Sequence, residues 1–249
     1  MRSFHKNTQA PAILRMQGPA ETQKLINEVV GGNVNPKPND LYRHSDVKQQ
    51  LKIDQNGKCA YCERYFNGDF GAVEHFRPKG GWKQSNGDKL LQPGYYWLTY
   101  EWSNLLYSCD ECNTVYKHNL FPLANPGSRD IDHRNISKEQ PLLVNPAEED
   151  PGIYIAFHSE MAIPRIVAGL PSAKGKATIE LLGLNSRPAL KQARREAYME
   201  YRKFVILKEI ARREGNALLL RMAEGLIRTR TGEYAEFTGM YQYQEEVFL

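Results

Sequence analysis

Apolar positions carry the clearest signal in the C-terminal half of the chain. Leu190, Ala193, Ala197, Tyr201, Phe204, Leu207 and Ala211 recur every three or four residues, which places one stripe on one helical face. The pattern predicts a helix to about Arg213, with Asn185 or Ser186 as its cap and Pro188 in its first turn. Gly215 interrupts the period, and residues 217–227 resume it. Another helix is expected from Pro171 to the Leu182-Gly183 stop. Residues 153–157 and 163–167 fit two strands of a hairpin. Near the N-terminus, residues 22–30 read as a short helix ending at Gly31-Gly32, after an arm containing Pro11, Gly18 and Pro19. Residues 33–39, with Pro36 and Pro38, read as a linker. Residues 41–54 read as a helix with Val47, Leu51 and Ile53 inward.

The middle of the chain has a different texture. Residues 76–81 read as loop, and Tyr95-Tyr96-Trp97-Leu98 as an aromatic run suited to a core. Residues 105–107 suit a strand and residues 110–117 a helix. The expected organisation is an N-terminal arm and helices (1–50), a zinc-braced module (51–125), and a connection with a basic helical region (126–249). The fold class expected is α+β, mostly helical.

Composition narrows this picture only modestly. The chain has 249 residues, 41% hydrophobic and 25% charged, as soluble globular proteins do. No stretch approaches the ~18 consecutive apolar residues of a membrane span. The opening Met1-Arg2-Ser3-Phe4-His5-Lys6 leads into polar residues and prolines rather than an apolar signal, so a cytoplasmic location is expected. The net charge is +4, unevenly spread: residues 185–230 carry 12 Lys/Arg against 5 Glu, whereas residues 130–150 carry 6 acids against 2 bases. A basic segment fits either a solvated helical face or a polyanionic partner.

The cysteines point to a metal. All four fall in two C-x-x-C pairs, Cys59/Cys62 and Cys109/Cys112, with 46 residues between the pairs. Each pair brings two thiolates to one ion from a tight turn, and two pairs complete the tetrahedral shell of a structural zinc site. Disulfides would require an oxidising compartment, and an iron–sulfur cluster is the other metal reading. With four protein ligands, such a zinc has no open position for catalysis.

Between and beside the pairs lie Glu74-His75-Phe76-Arg77-Pro78-Lys79, Trp102-Ser103-Asn104 and Asn113-Thr114-Val115-Tyr116-Lys117. Hydrolysing a phosphodiester requires an activated water and charge neutralisation at phosphate. A neutral histidine is suited to take the proton, and a carboxylate and an amide oxygen are hard ligands suited to Mg²⁺. His75 stands out from His5, His44, His118, His133 and His158 by its acidic neighbour and its place between the cysteine pairs. Adjacent strand residues point to opposite faces, so Glu74 and His75 share a site only if the chain bends there. Asn104 is placed to tie a loop to the backbone. Asn113 lies near a helix start, where capping is its other use. Lys117, four residues on, falls on the same α-helical face. Arg77 and Lys79 are substrate-binding candidates with Lys117.

This arrangement resembles the HNH endonucleases, whose ββα-metal core is often braced by zinc knuckles. The resemblance implies His75 as general base, Asn104 as structural asparagine, and Glu74 with Asn113 as ligands of a catalytic Mg²⁺ or Mn²⁺. This chain has Asn113 where the family name has its last His, and Glu74 where many members have Asp. A narrower likeness runs through Lys58-Cys59-Ala60-Tyr61-Cys62-Glu63, Phe121-Pro122-Leu123, Leu142-Leu143-Val144-Asn145-Pro146 and Ile179-Glu180-Leu181-Leu182-Gly183-Leu184-Asn185. It is similar to the retron- and Septu-associated HNH proteins of anti-phage defence. That likeness implies an ABC-type ATPase partner, with nucleic acid (DNA before RNA) as substrate. The competing reading is a zinc-knuckle module that binds nucleic acid or a partner without cutting.

Overall fold

A computed structural model describes residues 1–66, 71–133 and 135–245. At its centre lies an antiparallel pair, β1 (Gly71–His75) and β2 (Leu105–Cys109), with His75 opposite Leu105 and Glu74 opposite Leu106. Four of the five β2 residues are buried, because the strand is covered on both sides. Leu105 and Tyr107 join one core with Leu14, Leu25, Tyr42, Val47 and Leu51. Leu106, the residue between them, joins a second core with Cys59, Phe76, Phe121, Leu143 and Phe157. The two-residue period of a strand thus feeds two cores, one shared with the N-terminal helices and the aromatic turns before β2, the other joining the middle of the chain to its C-terminal half.

The N-terminal region departs from its sequence reading. Helix α1 spans Ala12–Val30 and carries Pro19 inside it, so the helix starts ten residues earlier than periodicity indicated. Leu14, Gly18 and Leu25 form its buried face, and tertiary packing offsets the weak local propensity of the Gly-Pro step. Residues ahead of it lie against the body: the half-buried Lys6 places its ammonium over the Trp102 ring, 4.1 Å from the centroid. The helix expected over 41–54 is split. A 3-10 turn, Asp40–Arg43, precedes α2, Ser45–Asp54, and the break falls at His44, whose extended backbone and side chain cap α2. Val47 and Leu51 are fully buried, but Ile53 is 57% exposed, because it falls outside the i, i+4 face they share.

After β2 the chain enters a seven-residue π-helix, Glu111–Lys117. Its i to i+5 bonding is seen where the His118 N–H donates to the Asn113 carbonyl at 2.7 Å. Residues five apart then stack above one another, so Cys112 and Lys117 are both buried, while Asn113 and Thr114 face a cleft.

The C-terminal half contains β3 (Ile155–His158) paired with β4 (Met161–Pro164). Ile166 and Val167, expected in that hairpin, form β5 instead, pairing with β6, Leu170–Pro171. Helices α3 (Ala173–Leu181), α4 (Pro188–Arg213), α5 (Ala217–Thr231) and α6 (Thr238–Gln242) follow. The end of α3 turns at Gly183, where φ is +56° and a Cβ would lie 2.1 Å from the Tyr116 ring, so only glycine fits. Pro188 opens α4 as expected, but the cap is Arg187, with no side-chain capping bond. No described helix is long and apolar enough to cross a membrane.

Candidate metal centre and cleft

The four cysteine sulfurs lie within 4.8 Å of one another. A tetrahedral zinc with ~2.3 Å bonds requires sulfurs about 3.8 Å apart, and the Cys62 and Cys109 sulfurs are 3.8 Å apart. Cys59, Cys62 and Cys112 are buried and Cys109 is half-buried. The donor set is therefore a closed shell that fits zinc and leaves no open coordination position. Four thiolates around Zn²⁺ carry a net −2, and a buried charge of that size requires compensation. Arg187 provides it: the guanidinium is buried, donates to the Cys112 sulfur at 3.1 Å and pairs with Glu111. Arg194, also buried, donates to the Leu184 carbonyl.

Sequence reasoning missed both roles. Arg187 reads as an ordinary residue before a helix-opening proline, and Arg194 as one of the 12 Lys/Arg of the basic segment. In the structure Arg194 is buried, whereas its neighbour Arg195 is exposed.

On the other side of the π-helix lies a cleft of about 420 Å³. Glu74, His75, Lys79, Asn113 and Thr114 line it, together with Tyr42 and Arg43. The cleft wraps the end of β1, which is how neighbouring Glu74 and His75 both border it. His75 Nε2 lies 3.0 Å from the Thr99 carbonyl oxygen. A carbonyl only accepts, so Nε2 carries the proton and Nδ1 keeps the lone pair in the neutral ring. Burial pushes the His75 pKa well below its ordinary value; the Lys79 ammonium acts in the same direction. The ring is thus held neutral.

Asn104 locks this geometry. Its Oδ1 accepts from the Arg77 N–H at 2.8 Å, and its Nδ2 donates to the Arg77 carbonyl at 3.1 Å and the Leu98 carbonyl at 3.2 Å. It ties the loop after His75 to the turn that carries Thr99. It is the last residue of the Trp102–Asn104 turn rather than the first of β2.

Lys117 and Arg77 are placed differently from their expected phosphate-binding role. Lys117 is fully buried; its ammonium is 2.5 Å from Glu74 Oε1 and donates to the His75 carbonyl at 2.9 Å. The π-winding turns it inward, so it braces Glu74 and His75 instead of facing a ligand. Arg77 pairs with the buried Glu139 at 3.1 Å and lies over the Phe121 ring. Lys79 does line the cleft. Tyr95 and Tyr96 are core residues.

Burial pushes the Glu74 carboxyl above its usual range, opposed by Lys117. Glu74 Oε1 has no partner in hydrogen-bond geometry despite its closeness to that ammonium. Glu74 and Asn113 line the same cleft, and a carboxylate with an amide oxygen is a donor set that suits a hard divalent ion. Fold and site together define a mixed α/β protein with a four-cysteine cluster arranged to hold a metal next to a histidine-bearing cleft.

Comparison with known proteins agrees with the narrower of the two likenesses read from the sequence. The chain is 39% identical over 151 residues to Septu protein PtuB of Bacillus mycoides (strain KBAB4), covering 60% of this chain and 50% of that protein. It is 26% identical over 177 residues to Septu protein PtuB of Bacillus thuringiensis, covering 70% and 55%. Septu protein PtuA of the same B. mycoides strain is 29% identical over 156 residues, 62% of this chain but 21% of that protein. The chain thus spans about half the length of the PtuB proteins it matches. No protein-family model matches it.

Proposed function

We propose that this protein is a metal-dependent endonuclease of the HNH type, acting with a PtuA-like ATPase in a Septu-type bacterial anti-phage defence system. The observation that carries the activity is the convergence of His75, Glu74, Asn113 and Lys79 on one cleft, at the end of a two-strand hairpin that leads into a short helix. The likeness to PtuB and PtuA supports the biological setting.

In this reading His75 Nδ1 takes a proton from water as the water oxygen attacks phosphorus. The bond from phosphorus to the 3′ oxygen breaks, and that oxygen takes a proton from solvent as it leaves, giving 5′-phosphate and 3′-hydroxyl ends. Glu74 and Asn113 would hold Mg²⁺ or Mn²⁺, which supplies charge stabilisation at phosphate and the leaving oxygen. Thr99 and Asn104 fix the ring of His75, and Lys117 orients Glu74. The zinc centre holds the π-helix that presents Asn113.

The test is incubation of the purified protein, with and without the ATPase partner, with plasmid DNA, single-stranded DNA and RNA in Mg²⁺ or Mn²⁺. Metal-dependent cutting with 5′-phosphate ends is expected for at least one substrate. Binding without cutting in every arm would leave the non-catalytic zinc-knuckle reading in its place.

A further inference from the structure

The segment read as a linker and the turn that follows it form a wall of the cleft. Asn35, Lys37, Asp40, Tyr42 and Arg43 line it opposite Glu74 and Asn113. Tyr42, 4% exposed, is where three of the cleft's groups meet. The His75 ring packs edge-on against it, with centroids 4.7 Å apart at 72°. The Lys79 ammonium lies 4.8 Å from the same ring's centroid and the Arg43 guanidinium carbon 5.3 Å from it. Cations over an aromatic face are held by its quadrupole. Arg43 also meets Asp40 at 3.1 Å, but both side chains are well exposed, and such surface pairs contribute little and exchange readily for a stronger anion.

We infer that the Asp40–Arg43 turn is part of the substrate site, with Tyr42 positioning His75 and spacing Arg43 and Lys79 as a cationic pair that grips a backbone phosphate of the strand being cut. This rests on the nuclease reading for its consequence in rate, but not for its consequence in binding. Two cations held on one ring are set at a fixed separation before substrate arrives, so their ordering cost is met in folding. The edge-on contact with Tyr42 limits rotation of the imidazole about the Thr99 bond. A loss of either effect has a different kinetic signature. Arg43 contacts ground state and transition state alike, so its loss is seen in KM. A misplaced His75 is seen in kcat.

The experiment uses the full chain and a fluorescein-labelled oligonucleotide, in two arms. In the first, binding is followed by anisotropy without divalent metal in a His75→Ala background. Arg43→Gln should weaken binding about 3- to 10-fold and reduce the log–log salt slope by about 0.7–0.9, the value for one phosphate contact. Tyr42→Leu should weaken binding by more, since it releases both cations. In the second arm, cutting is followed in the otherwise native chain. Tyr42→Leu should lower kcat at least tenfold, Tyr42→Phe should restore it to within about twofold because the ring suffices, and Arg43→Gln should raise KM with kcat nearly unchanged.

Zinc content and melting temperature report folding. If Tyr42→Leu does not fold, the exposed Arg43 and the Tyr42→Phe variant still decide. Unchanged affinity and salt slope in Arg43→Gln would overturn the phosphate assignment. Native kcat in folded Tyr42→Leu, or a kcat loss that Tyr42→Phe does not repair, would overturn the positioning role. A native chain that cuts nothing would refute the nuclease reading, and the binding arm would still decide the cationic pair.

Discussion

Replacing Arg187 by methionine should loosen the metal centre from outside its four ligands. Methionine keeps much of the apolar bulk but removes the only guanidinium in hydrogen-bond contact with a cysteine sulfur among the described residues. Two losses follow: a charge-assisted bond to the Cys112 sulfur and the pairing with Glu111. Taking one partner from a buried charge pair costs about 3–5 kcal/mol. Glu111 remains 45% exposed on its side chain and is re-solvated, so the low end, about 3 kcal/mol, is expected. For a chain of this size each kcal/mol is about 2–4 °C, giving a fall in Tm of roughly 6–12 °C. Loss of an outer-sphere partner weakens metal binding about 10- to 100-fold. Both are measurable, by thermal unfolding and by zinc transfer to a competing chromogenic chelator. Arg187→Lys, which keeps the charge but not the planar fork, should fall between. The destabilisation should shrink in zinc-stripped protein, where the −2 centre is gone. Native zinc affinity and a Tm within 2 °C in Arg187→Met would refute the claim that this arginine offsets the metal-centre charge.

Three further predictions follow from the cleft. Lys117→Met should destabilise the fold by about 3–5 kcal/mol by stranding Glu74, and adding Glu74→Gln should recover part of that loss in a double-mutant cycle by chemical denaturation; strict additivity would dissolve the pair. Asn104→Ala removes three hydrogen bonds, at about 0.5–1.5 kcal/mol each, and should lower cutting more than substrate affinity; intact kcat would count against its hold on His75. Burial disfavours the imidazolium of His75, so its neutral form persists below the usual histidine range and the acid limb of kcat/KM should lie below pH ~6.5; an apparent pKa at or above 6.5 would contradict that burial effect.

Much of this was legible from residues whose role is set by local spacing. The paired cysteines, the β2 strand, the helix after it and the break at Gly215 follow from pattern alone. So does the tying role of Asn104, since an amide between two loops has few other uses. The misreadings share a physical cause: each depends on what lies across from the residue. Pro19 sits inside α1 because the helix face around Gly18 is packed, which no local signal reports. Lys117 turns inward because the helix is π rather than α, so its relation to Asn113 changes with the winding. Arg77 and Arg187 read as solvent-seeking charges, yet each finds its partner far along the chain, at Glu139 and Cys112, while Arg194 folds back on the nearby Leu184 carbonyl. Tyr42 and Arg43 lie more than 30 residues before the histidine they border, at the start of a segment read as an ordinary helix with only Val47, Leu51 and Ile53 inward.

The central claim is that a closed thiolate centre holds a working histidine in a cleft with oxygen ligands beside it. The most direct test is His75→Ala, assayed for Mg²⁺- or Mn²⁺-dependent cleavage alongside zinc content. The account predicts one zinc per chain, native oligonucleotide affinity and at least a ~100-fold loss of cutting rate, the usual contribution of a general base. Cleavage at the native rate by a zinc-loaded His75→Ala protein would contradict it.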